Sequence, residues 1–548
     1  MQKRAATFYK NNLLILTILL GTFSSCFGDI KSTAKSWLPT PVYTALKKWI
    51  FLQPRHEKIQ KKYEKEKYKI IIEDPIKSAE AFAQAIQNNI AINSKIKNNP
   101  QLFLLGASSS AYQVEGGLDE LNATAQFNKN RNLPMAGEAI NFWNRYKTDI
   151  PQIKQELGIN AFRISIPWER VQPTANTWDE DAITRYIDII KTLKAHNIEP
   201  IAVLHHYTIP TWFAKLGGFE KTENNRYFVD FGKKMYQALC KDVTYWSTFN
   251  AIEGYAFKGY YQADNPPGEK NMQKTIEVMA NMLKAHVDIY QAIKGKKGIY
   301  TTSINKNTVP NPQIGIQKNI VPLDAFNKTW KNTVNLPISK IFTYMGEVAQ
   351  NSGFYSFFTT GIFYTWLPTK AYVKTAYNPH AQKSLDWIGV NIYSNMYMLW
   401  SQRQEETVTD RQTANINYRD YPEGIYRAVE TINKNIAQPL NIPIIITENG
   451  IATNNDEAGS AKRTRFFQRT LFTIGKLLEE GYNIIGYTPW SCHDNYEWPS
   501  VEQPDPWDSR RYGFFYVNFD KNSPDYLKRT LKQGSYYYAK FVKAFFNT

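Results

Sequence analysis

Cysteine is scarce: the 548 residues hold three, Cys26, Cys240 and Cys492. That excludes a disulfide framework, allows at most one bridge, and makes metal binding through thiolates an unsuitable reading. Acidic residues are also in deficit, 49 against 66 Lys and Arg, for a formal charge of +17. The lysines are spread along the chain with no Arg-rich arm, so the excess reads as solubility and attraction to anionic surfaces rather than nucleic-acid binding. No His/Glu metal spacing and no phosphate-cradling glycine loop occurs, so no cofactor is implied. No internal repeat and no low-complexity linker follows residue 100, and one domain is the economical organisation.

Hydrophobic residues make up 43% and aromatics 14%, enough for a sizeable core. The 14 tryptophans suit stacking against sugar rings, although core packing explains many aromatic rings equally well. At the N-terminus, Lys3, Arg4 and Lys10 precede the apolar run Leu13 to Phe23, which is too short for an ordinary membrane span. Residues 1–28 therefore read as a secretory signal, and export follows, to a periplasmic, secreted or lipid-anchored place in a bacterial envelope. Ser24-Ser25-Cys26 resembles the end of a lipoprotein signal, which would leave Cys26 to carry a membrane-attaching lipid; cleavage after Gly28 is the competing reading.

Residues 29–100 form a lysine-rich extension. Ser78 to Ile92 is spaced as an amphipathic helix with Ala81, Phe82, Ala85 and Ile86 on one face, while His56 to Lys69 reads as a solvated charged face. The extension either caps the floor of the following domain or spaces it from a membrane.

Residues 101–548 alternate strands and helices. Phe103–Ala111, Ala161–Trp168, Glu199–Tyr207, Thr244–Asn250, Gln313–Pro322, Asp386–Ser394, Pro443–Gly450 and Ile484–Ser491 read as strands. Between them lie helical patterns, one of which places Ile183, Tyr186, Ile187, Ile190 and Leu193 on one face. That count and alternation predict a (β/α)8 TIM barrel, an α/β fold. Pro443–Gly450 stands out: a β-branched run, Ile444-Ile445-Ile446, ends in Thr447-Glu448-Asn449-Gly450. A carboxylate at the C-terminal tip of a buried strand has no packing role, and in a barrel that rim is where catalytic groups sit.

Ile444 to Ala452 resembles the nucleophile signature of glycoside hydrolase family 1, the retaining β-glucosidase family. Gly106 to Gly117, with Tyr112-Gln113-Val114-Glu115-Gly116, is similar to its N-terminal signature, although Leu105 departs where an aromatic is usual. The likeness runs from about residue 102 to the C-terminus with the motifs in the family's order. It implies a β-linked sugar or glycoside as substrate. Glu448 matches the nucleophile, Tyr393 the tyrosine bonded to it, and Arg163 the arginine that keeps it ionised. Gln113, His206 and Asn250 match residues that bind the glycone, and Trp490 the platform beneath the sugar. Glu497 and Trp498 match the grip on its far hydroxyls, and Asn319 a supporting residue on the fifth strand. Singly, each has a structural explanation; together at one rim they point to a site. The resemblance also implies that Glu497 disfavours a 6-phosphosugar by repelling its phosphate, and that the longer connection Pro499 to Trp507 alters the pocket mouth.

One family feature is missing. Retaining glycosidases use two carboxyl groups about 5–5.5 Å apart, and the family's second is a glutamate directly after Asn at the fourth strand. This chain reads Asn250-Ala251-Ile252-Glu253. Three readings follow: hydrolysis restricted to leaving groups that need no proton, as in myrosinases; substitution by another carboxylate, with Glu253 nearest; or a glycoside-binding sensor or surface lectin without turnover. Glu115 reads as structural.

Overall fold

The computed structural model describes residues 72–325, 343–366, 372–398, 420–500 and 503–547. The predicted signal, Cys26 and the charged run His56 to Lys69 lie outside them, as do Val501 and Glu502 of the predicted long connection. Within the described residues, eight parallel strands close into a barrel with helices around it, as predicted. In chain order these are β1 (Leu104–Ser108), β2 (Ala161–Ser165), β3 (Glu199–Val203), β4 (Tyr245–Asn250), β5 (Gln313–Asn319), β6 (Trp387–Asn391), β7 (Ile444–Glu448) and β8 (Ile484–Tyr487). Each strand pairs with its sequence neighbours and β1 pairs with β8.

Most of the predicted strands run past the observed C-terminal ends. The regular ladders stop there, and the chain continues over the rim with scattered backbone bonds, such as those from Ile392 N–H to the Glu448 carbonyl and from Trp490 N–H to the Asn449 carbonyl. His206, Tyr393 and Trp490 all lie in those overhangs.

The barrel's lower interior is apolar. Leu104, Ala161, Ile201, Trp387, Ile445 and Ile485 form a plug, with Ile96 packed against it from the short helix Ser94–Asn98. The Trp387 indole fits because residue 315 is glycine: a Cβ there would lie 2.5 Å from the ring. Two strand positions above Ala161 the interior turns polar at Arg163, following the two-residue alternation of strands.

The N-terminal helix spans Pro75–Asn88, earlier than predicted at both ends. Asp74 caps its start by accepting from the Ile76 and Lys77 amides, and Pro75 occupies the first turn. Its end is set by Asn89, whose side chain donates to the carbonyls of Leu478 (2.7 Å) and Tyr482 (2.9 Å). Ala81 is exposed, while Ala79 and Ala83 join Phe82, Ala85 and Ile86 on the buried face. Phe82 meets Phe103, Phe541 and Phe545 edge-on at centroid distances of 5.4, 5.5 and 5.9 Å. In the helix Glu180–Ala195, Ile189 is buried where Ile187 was expected, and Ile187 is half-buried. Cys240 and Cys492 are buried free thiols.

Candidate functional site

The motif Thr447-Glu448-Asn449-Gly450 assembles the rim. Pairing of β7 with β6 shifts register between Ile446 and Glu448, and such an irregularity re-aims side chains. Thr447 Oγ1 donates to Asn391 Oδ1 at 2.7 Å, and Asn449 Nδ2 donates to the Ile392 carbonyl at 2.7 Å. Both bonds hold the segment that carries Tyr393. Gly450 has no substitute: a Cβ would lie 2.1 Å from the Trp490 carbonyl oxygen.

Both oxygens of Glu448 are engaged. Arg163 Nη2 donates to Oε1 at 2.5 Å and the Tyr393 hydroxyl to Oε2 at 2.6 Å. Arg163 is fully buried, and its Nη1 donates to Asn250 Oδ1 (3.1 Å) and Gln317 Oε1 (2.5 Å). Asn391 Nδ2 also donates to Asn250 Oδ1, at 2.8 Å. With its oxygen so occupied, Asn250 turns its NH2 to His206 Nε2 at 3.0 Å. His206 then accepts at Nε2 and donates from Nδ1 to Ser165 Oγ, also 3.0 Å away. Burial, reinforced by Arg163 and then His205, holds His206 well below the usual histidine range, so it is neutral beside Glu448.

A second group adjoins the first. The Trp490 ring lies 5.8 Å from the His206 ring and beneath the Arg163 guanidinium. Its indole N–H donates to Glu497 Oε1 at 3.0 Å. Burial pushes the Glu497 carboxyl up to about 7; Arg510 and the Trp490 bond oppose that shift, and Glu448 adds to it. Gln113 Nε2 donates to the Tyr496 carbonyl (2.7 Å) and Asn495 Oδ1 (3.1 Å), leaving Oε1 buried without a partner among the described residues. Trp498 stacks on Tyr112 at 5.6 Å.

Ala251 is fully buried and left-handed, with φ of +50°, at the point where β4 passes into the helix Ile252–Tyr260. A non-glycine residue held there is an unusual and costly backbone. Glu253 consequently lies in a helix rather than in strand register with Ala251. Its Oε1 accepts from the Asn319 amide at 2.5 Å and lies 3.2 Å from Lys318 Nζ. Lys318 is fully buried, and burial lowers its pKa against the opposing pull of Glu253. Asn319 thus meets Glu253 through its backbone, and no bond links Glu253 to Glu448. Glu115 pairs with Arg170 (3.1 Å) and accepts from the Tyr186 hydroxyl (2.7 Å), a structural role as expected.

Sequence reasoning passed over Gln317, Asn391, Ser165 and Asn495. A signal existed: the first three are polar residues near the C-terminal ends of barrel strands, and Asn391 directly precedes Ile392-Tyr393. Among the described residues no group of three or more His, Cys, Asp or Glu is placed to hold a metal, and no helix is long and apolar enough to cross a membrane.

The fold and site define a (β/α)8 barrel whose rim holds one arginine-clamped carboxylate beside a tryptophan platform. The chain matches Glycosyl hydrolase family 1 over residues 96–545 and belongs to that family. It is 25% identical over 476 residues to β-glucosidase A of Thermotoga maritima, covering 82% of this chain and 98% of that protein. A 6-phospho-β-galactosidase of Staphylococcus aureus is also 25% identical, over 489 residues, covering 82% and 98%. Among solved structures, a β-glycosidase from Pyrococcus horikoshii superposes with a TM-score of 0.66 at 28% identity, covering 81% of this chain and 95% of that one.

Proposed function

We propose that the protein hydrolyses β-glycosides, β-glucosidase-like, by a retaining mechanism in which Glu448 is the nucleophile. The observation that carries this is the double hold on Glu448. Arg163 and Tyr393 orient a carboxylate that packing does not require, and a site that only bound sugar would have no use for it. In the first step a Glu448 oxygen attacks the anomeric carbon, and the bond to the leaving oxygen breaks with its electron pair. Water then attacks that carbon, the bond to Glu448 breaks with its electron pair returning to the carboxylate, and the water's proton passes to solvent or to the departed anion.

Ala251 stands where the family's acid/base glutamate is expected, and a methyl group neither donates nor accepts a proton. General acid–base help is worth about 10²–10⁴-fold, or roughly 3–5 kcal/mol of barrier. The reaction is therefore impaired and leaving-group dependent. Glu253 is engaged by Lys318 and the Asn319 amide, which argues against its serving as the substitute. Gln113, His206, Asn250, Trp490, Glu497 and Trp498 bind the sugar in this reading, with Asn319 in support. A second reading, a glycoside-binding protein without turnover, is favoured by Ala251 alone.

An activated aryl 2-fluoro-β-glucoside separates the two. Hydrolysis predicts a covalent adduct on Glu448, visible by mass spectrometry; tight glucoside binding with no adduct would leave only the sensor. Azide should speed turnover of an activated aryl glucoside and release a β-glycosyl azide. Ala251→Glu should raise kcat/KM for poor leaving groups by about 10²-fold or more.

A further inference from the structure

The loop that follows β8 runs from Trp490 to Trp498 with no helix and only isolated bridges. The segment Arg511–Phe515 lies against it. A Cβ on Gly513 would sit 2.0 Å from the Asp494 nitrogen, so only glycine lets the two backbones approach this closely. The Phe514 and Phe515 N–H groups donate to the Ser491 and Cys492 carbonyls, both at 3.0 Å. The Asp494 N–H donates to the Phe515 carbonyl at 2.9 Å.

Midway along this loop the buried Asp494 carboxylate collects donors from outside it. Lys532 Nζ donates to Oδ1 at 2.7 Å, the Gly513 amide to the same oxygen at 2.9 Å, and Arg511 Nη1 to Oδ2 at 3.2 Å. Lys532 is itself buried and follows the strand Arg529–Leu531. Arg463, from the long helix Glu457–Glu479, braces the same segment by donating to the carbonyls of Tyr512 (2.8 Å) and Arg511 (2.7 Å).

On either side of Asp494 stand residues that the glycosidase reading gives to the sugar. Trp490 packs with Tyr512 and Ala452 on one side. On the other, Asn495 Oδ1 and the Tyr496 carbonyl accept from Gln113 Nε2, and Glu497 follows. Among the described residues neither Asp494 nor Lys532 bonds to Glu448. A buried ion pair adds little net stability over an apolar pair of the same volume, because desolvation offsets the attraction. What it does supply is direction: charge-assisted bonds fix where the carboxylate sits, and with it the backbone on both sides.

We propose that Asp494 and Lys532 are positioning residues for sugar binding. Their ion pair sets the loop so that Trp490, Glu497 and, through Asn495, Gln113 meet the far hydroxyls of one sugar together. That assignment rests on the glycosidase reading for what those three residues hold.

Binding and stability, measured on the same full-length variants, separate positioning from scaffolding. By calorimetry, Lys532→Met should weaken binding of phenyl 1-thio-β-glucoside by about tenfold or more. It should also lower the urea midpoint, because a buried carboxylate loses a partner. Adding Asp494→Asn removes that charge, so the midpoint should recover while the affinity for the glucoside does not. The same double variant should lose less than about threefold in affinity for phenyl 1-thio-β-xyloside, which lacks the far hydroxymethyl group. Affinity that recovers with stability, equal losses for the two ligands, or no measurable binding of either by the unsubstituted protein would overturn the proposal. Absence of an adduct at Glu448 would defeat hydrolysis and leave this comparison intact, whereas equal losses would leave the adduct in place.

Discussion

Glu448 owes its setting to one buried cation. Arg163 is bonded to three side chains that converge from β4, β5 and β7, so it ties the barrel together as well as holding the carboxylate. Arg163→Met should strip a buried carboxylate of its partner and leave two amide oxygens short of donors. Losing one member of such a pair costs about 3–5 kcal/mol, which urea unfolding would measure. Glu497 is the carboxyl beside the Trp490 indole whose charge changes near neutrality. Its carboxyl is raised to about 7 by burial, and sugar hydroxyls donate best to its ionised form. KM for an uncharged aryl glucoside should therefore fall as pH rises through about 7, and Glu497→Gln should abolish the step. Stability runs the other way. The folded state holds this proton more tightly than the unfolded chain, so the Glu497 contribution is greatest below the ordinary carboxylate range. It is lost as pH rises from there through about 7.

At the scale of elements, strand ends do the positioning. β4 and β7 each slip register near their tips, between Ser247 and Asn250 and between Ile446 and Glu448, and both slips deliver a polar group to the same interior. The N-terminal helix adds an aromatic plug to the polar hold that Asn89 makes at its end. Phe82 fills a cluster made by Phe103 and the final helix Tyr536–Asn547. Phe82→Ala should cost about 3–5 kcal/mol, read by thermal unfolding, while leaving the rim distant from the cavity. Activity of the folded fraction should be unchanged.

For the whole molecule, we propose export and attachment of a lipid at Cys26, with the basic surface favouring anionic envelope lipids. In a bacterial host the chain should take up palmitate and fractionate with membranes, and Cys26→Ser should abolish both. A mature N-terminus at Asp29, found by mass spectrometry, would instead mean cleavage after Gly28 and a released protein. The barrel itself is indifferent to that outcome, since its strands and rim are assembled from residues 104 onward.

By itself the sequence determined the eight strands and their closure, because short apolar runs alternate with helical patterns, and it set Glu448 at the tip of a β-branched run; Arg163 and Asn250 were legible through the family resemblance. It also made plain that Ala251 lacks a carboxyl. Only the tertiary structure decided what surrounds those groups. Strand ends were read too long because pairing depends on a neighbour's length, which periodicity does not carry. Glu253 meets Lys318 and the Asn319 amide because Ala251 turns left-handed and a helix begins directly after it, while the Ala251 amide donates to the Gln317 carbonyl of β5. Arg163 and Gln317, 154 residues apart in the chain, are bonded inside the barrel, a proximity that no local pattern encodes because closure of the whole barrel produces it.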